Sequence, residues 1–183
     1  GYGLAVLTGI KAAKSKWVSI IDGDLEYKVE DISLLFSYRS SNEMILSFRY
    51  VKRYSRTRRF VSYVYNNLIK LRFGIDFRDV GSGLRIYHRE TLLKFDFKSK
   101  SSFLTAEIPI KLILSGCPIT EVGVNSYPSP YRSTGVVKPA QILRVIRELN
   151  QCHRELLESR RQNSSKQSIP SLNQREDLKK FPQ

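Results

Sequence analysis

The chain has 183 residues, 41% hydrophobic and 11% aromatic, which predicts a single globular domain with a real core. Lysine and arginine outnumber the acids 31 to 17, a net charge of +14, so the expected partners are anionic: nucleic acid, a phosphorylated small molecule or an anionic membrane surface. No run approaches the roughly 18 apolar residues of a spanning helix, no leader of basic then apolar residues opens the chain, and Cys117 and Cys152 have neither metal-ligand spacing nor a disulfide framework; a soluble or membrane-peripheral protein of a reducing compartment is expected.

In chain order, Leu4, Ala5, Leu7, Ile10 and Ala13 recur at helical spacing and predict a helix over 3–14 with a close-packing Gly9. Trp17 to Ile21 reads as a short strand whose near-continuous apolar character suits a parallel sheet covered on both faces. Glu30 and Asp31 open a helix over 30–39, where acids meet the positive end of the dipole. Met44 to Phe48 predicts a second strand, and 58–72 a helix facing the core with Phe60, Val61, Val64, Leu68 and Leu71. A strand over 84–87, a helix over 104–114 ended by Gly116 and a strand over 119–124 follow. A loop rich in Pro, Ser and Tyr then leads to a helix over 140–158, and the polar composition from Ser159 predicts a disordered tail over 159–183.

Chemistry concentrates where the first strand stops. WVSIIDGDLEYKVEDI places Asp22 and Asp24 at i and i+2, on one side if the backbone stays extended, with Glu26 close behind. Open α/β sheets bind ligands beyond the carboxyl ends of their strands. A hard cation such as Mg²⁺ or Mn²⁺ is held by one or two carboxylates, with substrate phosphates and waters completing its shell. Asp-Gly is also a common turn pair, but the apolar strand before it and the acid-led helix after it favour the metal reading.

GYGLAVLTGIKAAKSKWVSIIDGDLEYKVEDI, then SFRY, RDVGSGLRIYHRE, AEIPIKLILSGCPITEVGV and YRSTGVVK, resembles over residues 1–147 the family-two glycosyltransferases of GT-A fold, and within them the dolichyl-phosphate mannosyltransferase-like, polyprenyl-phosphate glycosyltransferase branch. The resemblance implies an α/β, Rossmann-like sandwich with a mostly parallel sheet. It implies that Asp22 and Asp24 bind a divalent cation and the diphosphate of a nucleotide sugar, with Glu26 standing where the branch often has Gln. Arg49 and Arg59 match phosphate-contacting positions, and Asp79, Ser82 and Arg85 match the segment lining the acceptor and sugar side, where Gly81 and Gly83 let backbone approach a ligand. Glu107 matches a helix position on the acceptor side. Arg132 and Lys138 match a mobile basic loop closing over the phosphates, although Val137 replaces the family's serine.

What the resemblance implies is an inverting transfer from GDP-mannose or a UDP-sugar to a lipid phosphate; the positive charge and lack of a spanning helix add the expectation that the domain rests on the cytoplasmic face of a membrane. Asp24 and Asp22 would carry the metal, and Asp79 would be the base were the acceptor a neutral hydroxyl. The family's first strand and nucleoside-reading acid precede the helix matched by Gly1–Gly9, so a partial catalytic domain over 1–147 is expected, with an inactive remnant or partner subunit as the alternative. The basic run RYVKRYSRTRR, with tyrosines at 50, 54, 63 and 65, raises nucleic-acid binding, without any recognised motif to accompany it.

Overall fold

The computed structural model describes residues 1–51, 56–128 and 139–167. Its elements are α1 (Tyr2–Ala12), β1 (Trp17–Ile21), α2 (Val29–Phe36), β2 (Met44–Arg49), α3 (Arg56–Phe73), β3 (Leu84–His88), α4 (Arg89–Leu93), α5 (Leu104–Leu114), β4 (Ile119–Val124) and α6 (Pro139–Gln167), with a 3-10 turn at Ser37–Ser40 behind α2. The helix expected to stop near Glu158 therefore runs on to Gln167, and the rest of the expected tail lies outside the described residues.

The strands form one sheet in the order β1-β3-β2-β4. β3 pairs antiparallel with β1 and with β2, whereas β2 and β4 are parallel. Three strands thus point one way and β3 alone runs against them, filling the slot between β1 and β2. Period-two alternation divides the core between the faces. Met44 and Leu46 join the larger cluster, with Ile69, Phe73, Phe103, Leu104, Ile108 and Leu149 from α3, α5 and α6. Ile45 joins Leu35, Leu84, Ile86 and Val122 under α2. This is an α/β sandwich in which β1 and β2 end, and β3 begins, at one rim where the acidic residues collect.

Three local expectations change. In α3 the face expected to meet the core is turned outward: Phe60, Val61, Val64 and Leu71 are exposed, only Leu68 of the expected set packs on the core, and Ile69 and Phe73 are buried instead. β1 is an edge strand with only partly buried or exposed positions, and the strands covered on both faces are β2 and β3, the two in the middle of the sheet. In α1, Gly9 has open space where a Cβ would stand; the close approach is at Gly3, where a Cβ would meet the backbone of Ser99, Lys100 and Ser101. Apolar spacing locates the helix but not which glycine touches a neighbouring chain segment.

Candidate active site

β1 delivers Asp22 to the rim. Its backbone N–H donates to Gly83 O at 3.1 Å, and its carboxylate lies where a Cβ on Gly83 would overlap it, so the glycine is a requirement of packing. The backbone then turns instead of staying extended: the Asp24 carboxylate accepts the Glu26 N–H at 3.1 Å, and Leu25 takes φ 62. A left-handed leucine costs on the order of 1–2 kcal/mol, and conformations of this kind collect at functional sites. The aspartates remain electrostatically coupled across the turn. Burial pushes the Asp22 carboxyl above its ordinary range, the Asp24 charge pushes further, and Arg85 and Arg49 partly oppose them.

Arg49, at the end of β2, is a buried hub. Its Nε donates to Asp79 Oδ2 at 2.7 Å and its Nη2 to Asp79 Oδ1 at 3.2 Å, a bidentate pair. Nη2 also reaches Gly81 O at 3.1 Å, and Nη1 reaches Glu26 Oε2 at 3.4 Å. Glu26, expected among the metal ligands, thus faces Arg49, and Asp79, expected as a base, is clamped and 3% exposed. Arg85, 3% exposed, gives its guanidinium to the backbone: Nε to Ser82 O at 2.9 Å, Nη2 to Val80 O and Nη1 to Thr105 O. Pro109, inside α5, has no N–H to offer the carbonyl four residues before it, which is that of Thr105. The carbonyl that proline leaves open is the one Arg85 takes.

Two residues that sequence reasoning passed over complete the floor. The Gly83 N–H donates to Tyr27 Oη at 2.8 Å, Tyr27 Oη lies 3.0 Å from Ser82 Oγ, and Ser82 Oγ meets Ser47 Oγ, which donates to Leu84 O at 2.7 Å. Tyr27 lies in the quoted acidic stretch and Ser47 in SFRY, but nothing local marks a tyrosine or serine as the partner of a turn far along the chain. Above this floor opens a cleft of about 270 Å³ lined by Tyr2, Asp22, Tyr65, Gly81, Ser82, Gly83, Ser102 and Thr105.

The remaining expected residues divide. Glu107 lies outside this cleft: it accepts the N–H groups of Lys98 and Ser99 at 3.1 and 2.9 Å and pairs with Lys111 at 2.6 Å. Arg59 is exposed on α3. Arg132 and Lys138 lie outside the described residues, as does Tyr54. Of the other tyrosines, Tyr50 is exposed and packs edge-on against Phe48, Tyr63 is exposed on α3 and Tyr65 lines the cleft.

The donor set decides which cation would fit. Among the described residues no group of three or more His, Cys, Asp or Glu side chains is placed to hold a metal, since Arg49 takes Glu26 and leaves the coupled Asp22 and Asp24. Two carboxylates, one partly desolvated and repelled by the other, suit a hard cation that brings phosphate oxygens and waters with it, and do not suit a protein cage.

None of the curated proteins compared matches the chain. Among solved structures it is similar to glucosyl-3-phosphoglycerate synthase from Mycobacterium tuberculosis in complex with Mn²⁺, uridine-diphosphate and phosphoglyceric acid, at 17% identity and TM-score 0.62, covering 84% of this chain and 54% of that one. The same enzyme with Mn²⁺ and uridine-diphosphate-glucose aligns at 17% identity and TM-score 0.57 over 86% and 52% of the two chains. With Mg²⁺ and uridine-diphosphate it aligns at 18% identity and TM-score 0.60 over 83% and 54%. The chain spans about half the length of these structures; at such identity they establish the GT-A type of fold. Residues 1–95, more than half of the chain and containing the acid pair, Arg49, Asp79 and Arg85, match the family described as glycosyl transferase family 2, and to that family the chain belongs.

Proposed function

We propose that this chain forms the catalytic core of a metal-dependent, inverting glycosyltransferase that moves a sugar from a nucleotide diphosphate to a lipid phosphate of the polyprenyl type. One observation carries the acceptor class. The cleft is walled by hydroxyls, glycines and the single carboxylate of Asp22, while Asp79 is buried against Arg49, so among the described residues no carboxylate beyond a metal-binding aspartate faces an incoming nucleophile there. A phosphate monoester, whose second pKa is about 6, arrives already anionic near neutral pH and attacks without a base.

Asp22 and Asp24 would hold a Mg²⁺ or Mn²⁺, and relatives crystallised with either ion and a uridine nucleotide support that choice. Bound there, the ion supplies Lewis-acid neutralisation of the leaving diphosphate. Glu26 serves this pair through Arg49, and Arg85 holds the Val80–Ser82 turn at the height at which Gly83 leaves room for Asp22. The Tyr2, Tyr65, Ser82, Ser102 and Thr105 hydroxyls orient the sugar and acceptor, and phosphate contact is assigned to Arg132 and Lys138. The nucleoside is assigned to the outer edge of β1, beside a cleft of about 420 Å³ lined in part by Trp17, Ser19, Ile32 and Phe36.

The test is transfer of label from GDP-mannose or UDP-glucose to a short polyprenyl phosphate or to 3-phosphoglycerate, with and without Mn²⁺, using the chain alone and a form extended upstream. Label in the lipid that requires Mn²⁺ and falls at least about a hundredfold in Asp24→Ala is expected. Label only in phosphoglycerate moves the acceptor class, and activity indifferent to Asp24→Ala removes the metal mechanism.

A further inference from the structure

α3 presents two unlike faces. Ile69 and Phe73 are buried in the larger core cluster and Tyr65 lines the Asp22 cleft, whereas Phe60 is 65%, Val64 48% and Leu71 84% exposed. At about 100° per residue the last three fall within about 40° of one another, so they form one outward, mainly apolar stripe interrupted by Asn67, with Tyr63 alongside at 67% exposure. From Met44 to Ile75 the sequence has eight basic residues and no acid. Lys70 is paired with Asp76 at 2.5 Å and Arg72 donates to Asn150 at 2.7 Å, while Arg56 and Arg59 stand exposed in the first turn. Positive side chains there oppose the helix dipole, a local cost that a facing layer of anions removes.

We propose that α3 docks this protein on an anionic lipid surface, with Phe60, Val64 and Leu71 inserted at the boundary of the acyl chains and Arg56 and Arg59 against headgroup phosphates. A basic helix with bulky apolar residues on its outer face is the pattern that lies in a bilayer interface. A second copy of the chain is the poorer occupant, because two-fold contact through this face would bring like-charged arginines together. Nucleic acid would satisfy the arginines but offers Val64 and Leu71 no apolar medium. Docking also deepens the lipid-phosphate reading above: Tyr65 belongs to the same helix, so the Asp22 cleft lies within about one helix diameter, 10–12 Å, of the headgroup layer.

The full chain is mixed with phosphatidylcholine vesicles with or without phosphatidylserine and sedimented. Binding is expected to require phosphatidylserine and to weaken with salt. The exposed pair Phe60→Ser and Leu71→Ser lowers partitioning by about tenfold or more at an unchanged thermal midpoint, and Arg56→Gln with Arg59→Gln removes the preference for the anionic lipid. Vesicle binding equal in all variants overturns the assignment. So does a dimer in solution dispersed by Phe60→Ser and Leu71→Ser, or RNA binding unaffected by that pair in a chain that ignores vesicles. Vesicle binding needs no sugar donor, and transfer to a water-soluble short-chain acceptor is unaltered by Phe60→Ser and Leu71→Ser, so docking and transfer fail separately.

Discussion

Gly83 sets the direction of Asp22, because the carboxylate occupies the space that a Cβ would need. Gly83→Ala therefore acts first on chemistry: the far end of one side chain can swing away at modest cost, typically about 1–3 kcal/mol for overpacking, but it swings out of the metal position. The expected result is a protein that folds, loses at least about tenfold in Mn²⁺ affinity and loses transfer with it; titration with Mn²⁺ followed by calorimetry checks this, and unchanged affinity would separate Asp22 from the metal. Motif spacing pointed to Asp22 and Asp24, and the family resemblance to Arg49, Asp79 and Arg85. Their partners were not legible. Arg49 looks the same in a sequence whether it faces a nucleotide phosphate or, as here, Asp79 and Glu26.

At the scale of elements, α1 offers a paired test. Gly3 lies against the backbone of residues 99–101, which cannot move aside as a side chain can, while Gly9 faces open space. Gly9→Ala removes backbone entropy from the unfolded chain and is expected to raise stability by about 0.5–1 kcal/mol. Gly3→Ala is expected to lower it by about 1–3 kcal/mol. Denaturant unfolding of the two variants should give opposite signs. Equal signs would mean that the helix is seated differently on the Ser99–Ser101 segment. Apolar periodicity was enough to place α1, α5 and the four strands close to their observed bounds, because burial on one face imposes the period; in α3 it found the bounds but the wrong face, since Phe60, Val64 and Leu71 are exposed. It could not distinguish an edge strand from a central one, and β1 proved to be the edge.

For the molecule as a whole, a partly buried charge network fastens α5 to α6. Lys111 pairs with Glu107 at 2.6 Å and with Glu155 at 3.7 Å, and Lys98 pairs with Glu155 at 3.2 Å. Burial alone would raise the Glu107 carboxyl, but hydrogen bonds from Lys111 and Ser99 outweigh it and hold it below the ordinary glutamate range. A carboxylate lowered on folding stabilises above its unfolded pKa, and that contribution disappears as pH falls through the folded value. Glu107→Gln leaves Lys111 with a weaker partner and is expected to cost about 3 kcal/mol near neutral pH. The difference from the parent should shrink below about pH 4, as the parent's own carboxylate takes up its proton. Urea unfolding over a pH series measures both, and a difference that stays constant with pH would assign the cost to packing alone. The same burial keeps the neighbouring Cys152 thiol protonated, its pKa pushed up to about 12.

Local chemistry alone determined the alternation of strands and helices, the acidic turn after β1 and the basic, acid-free span that became α3, since each depends on residues within a few positions of one another. Tertiary structure decided the reversed direction of β3, the clamping of Asp79 and Glu26 by Arg49, the Tyr27–Ser82–Ser47 floor and the departure of Glu107 to the α5–α6 seam. Those choices bind residues far apart in the chain, and a side chain's capacity to donate or accept does not say which distant group will be folded against it.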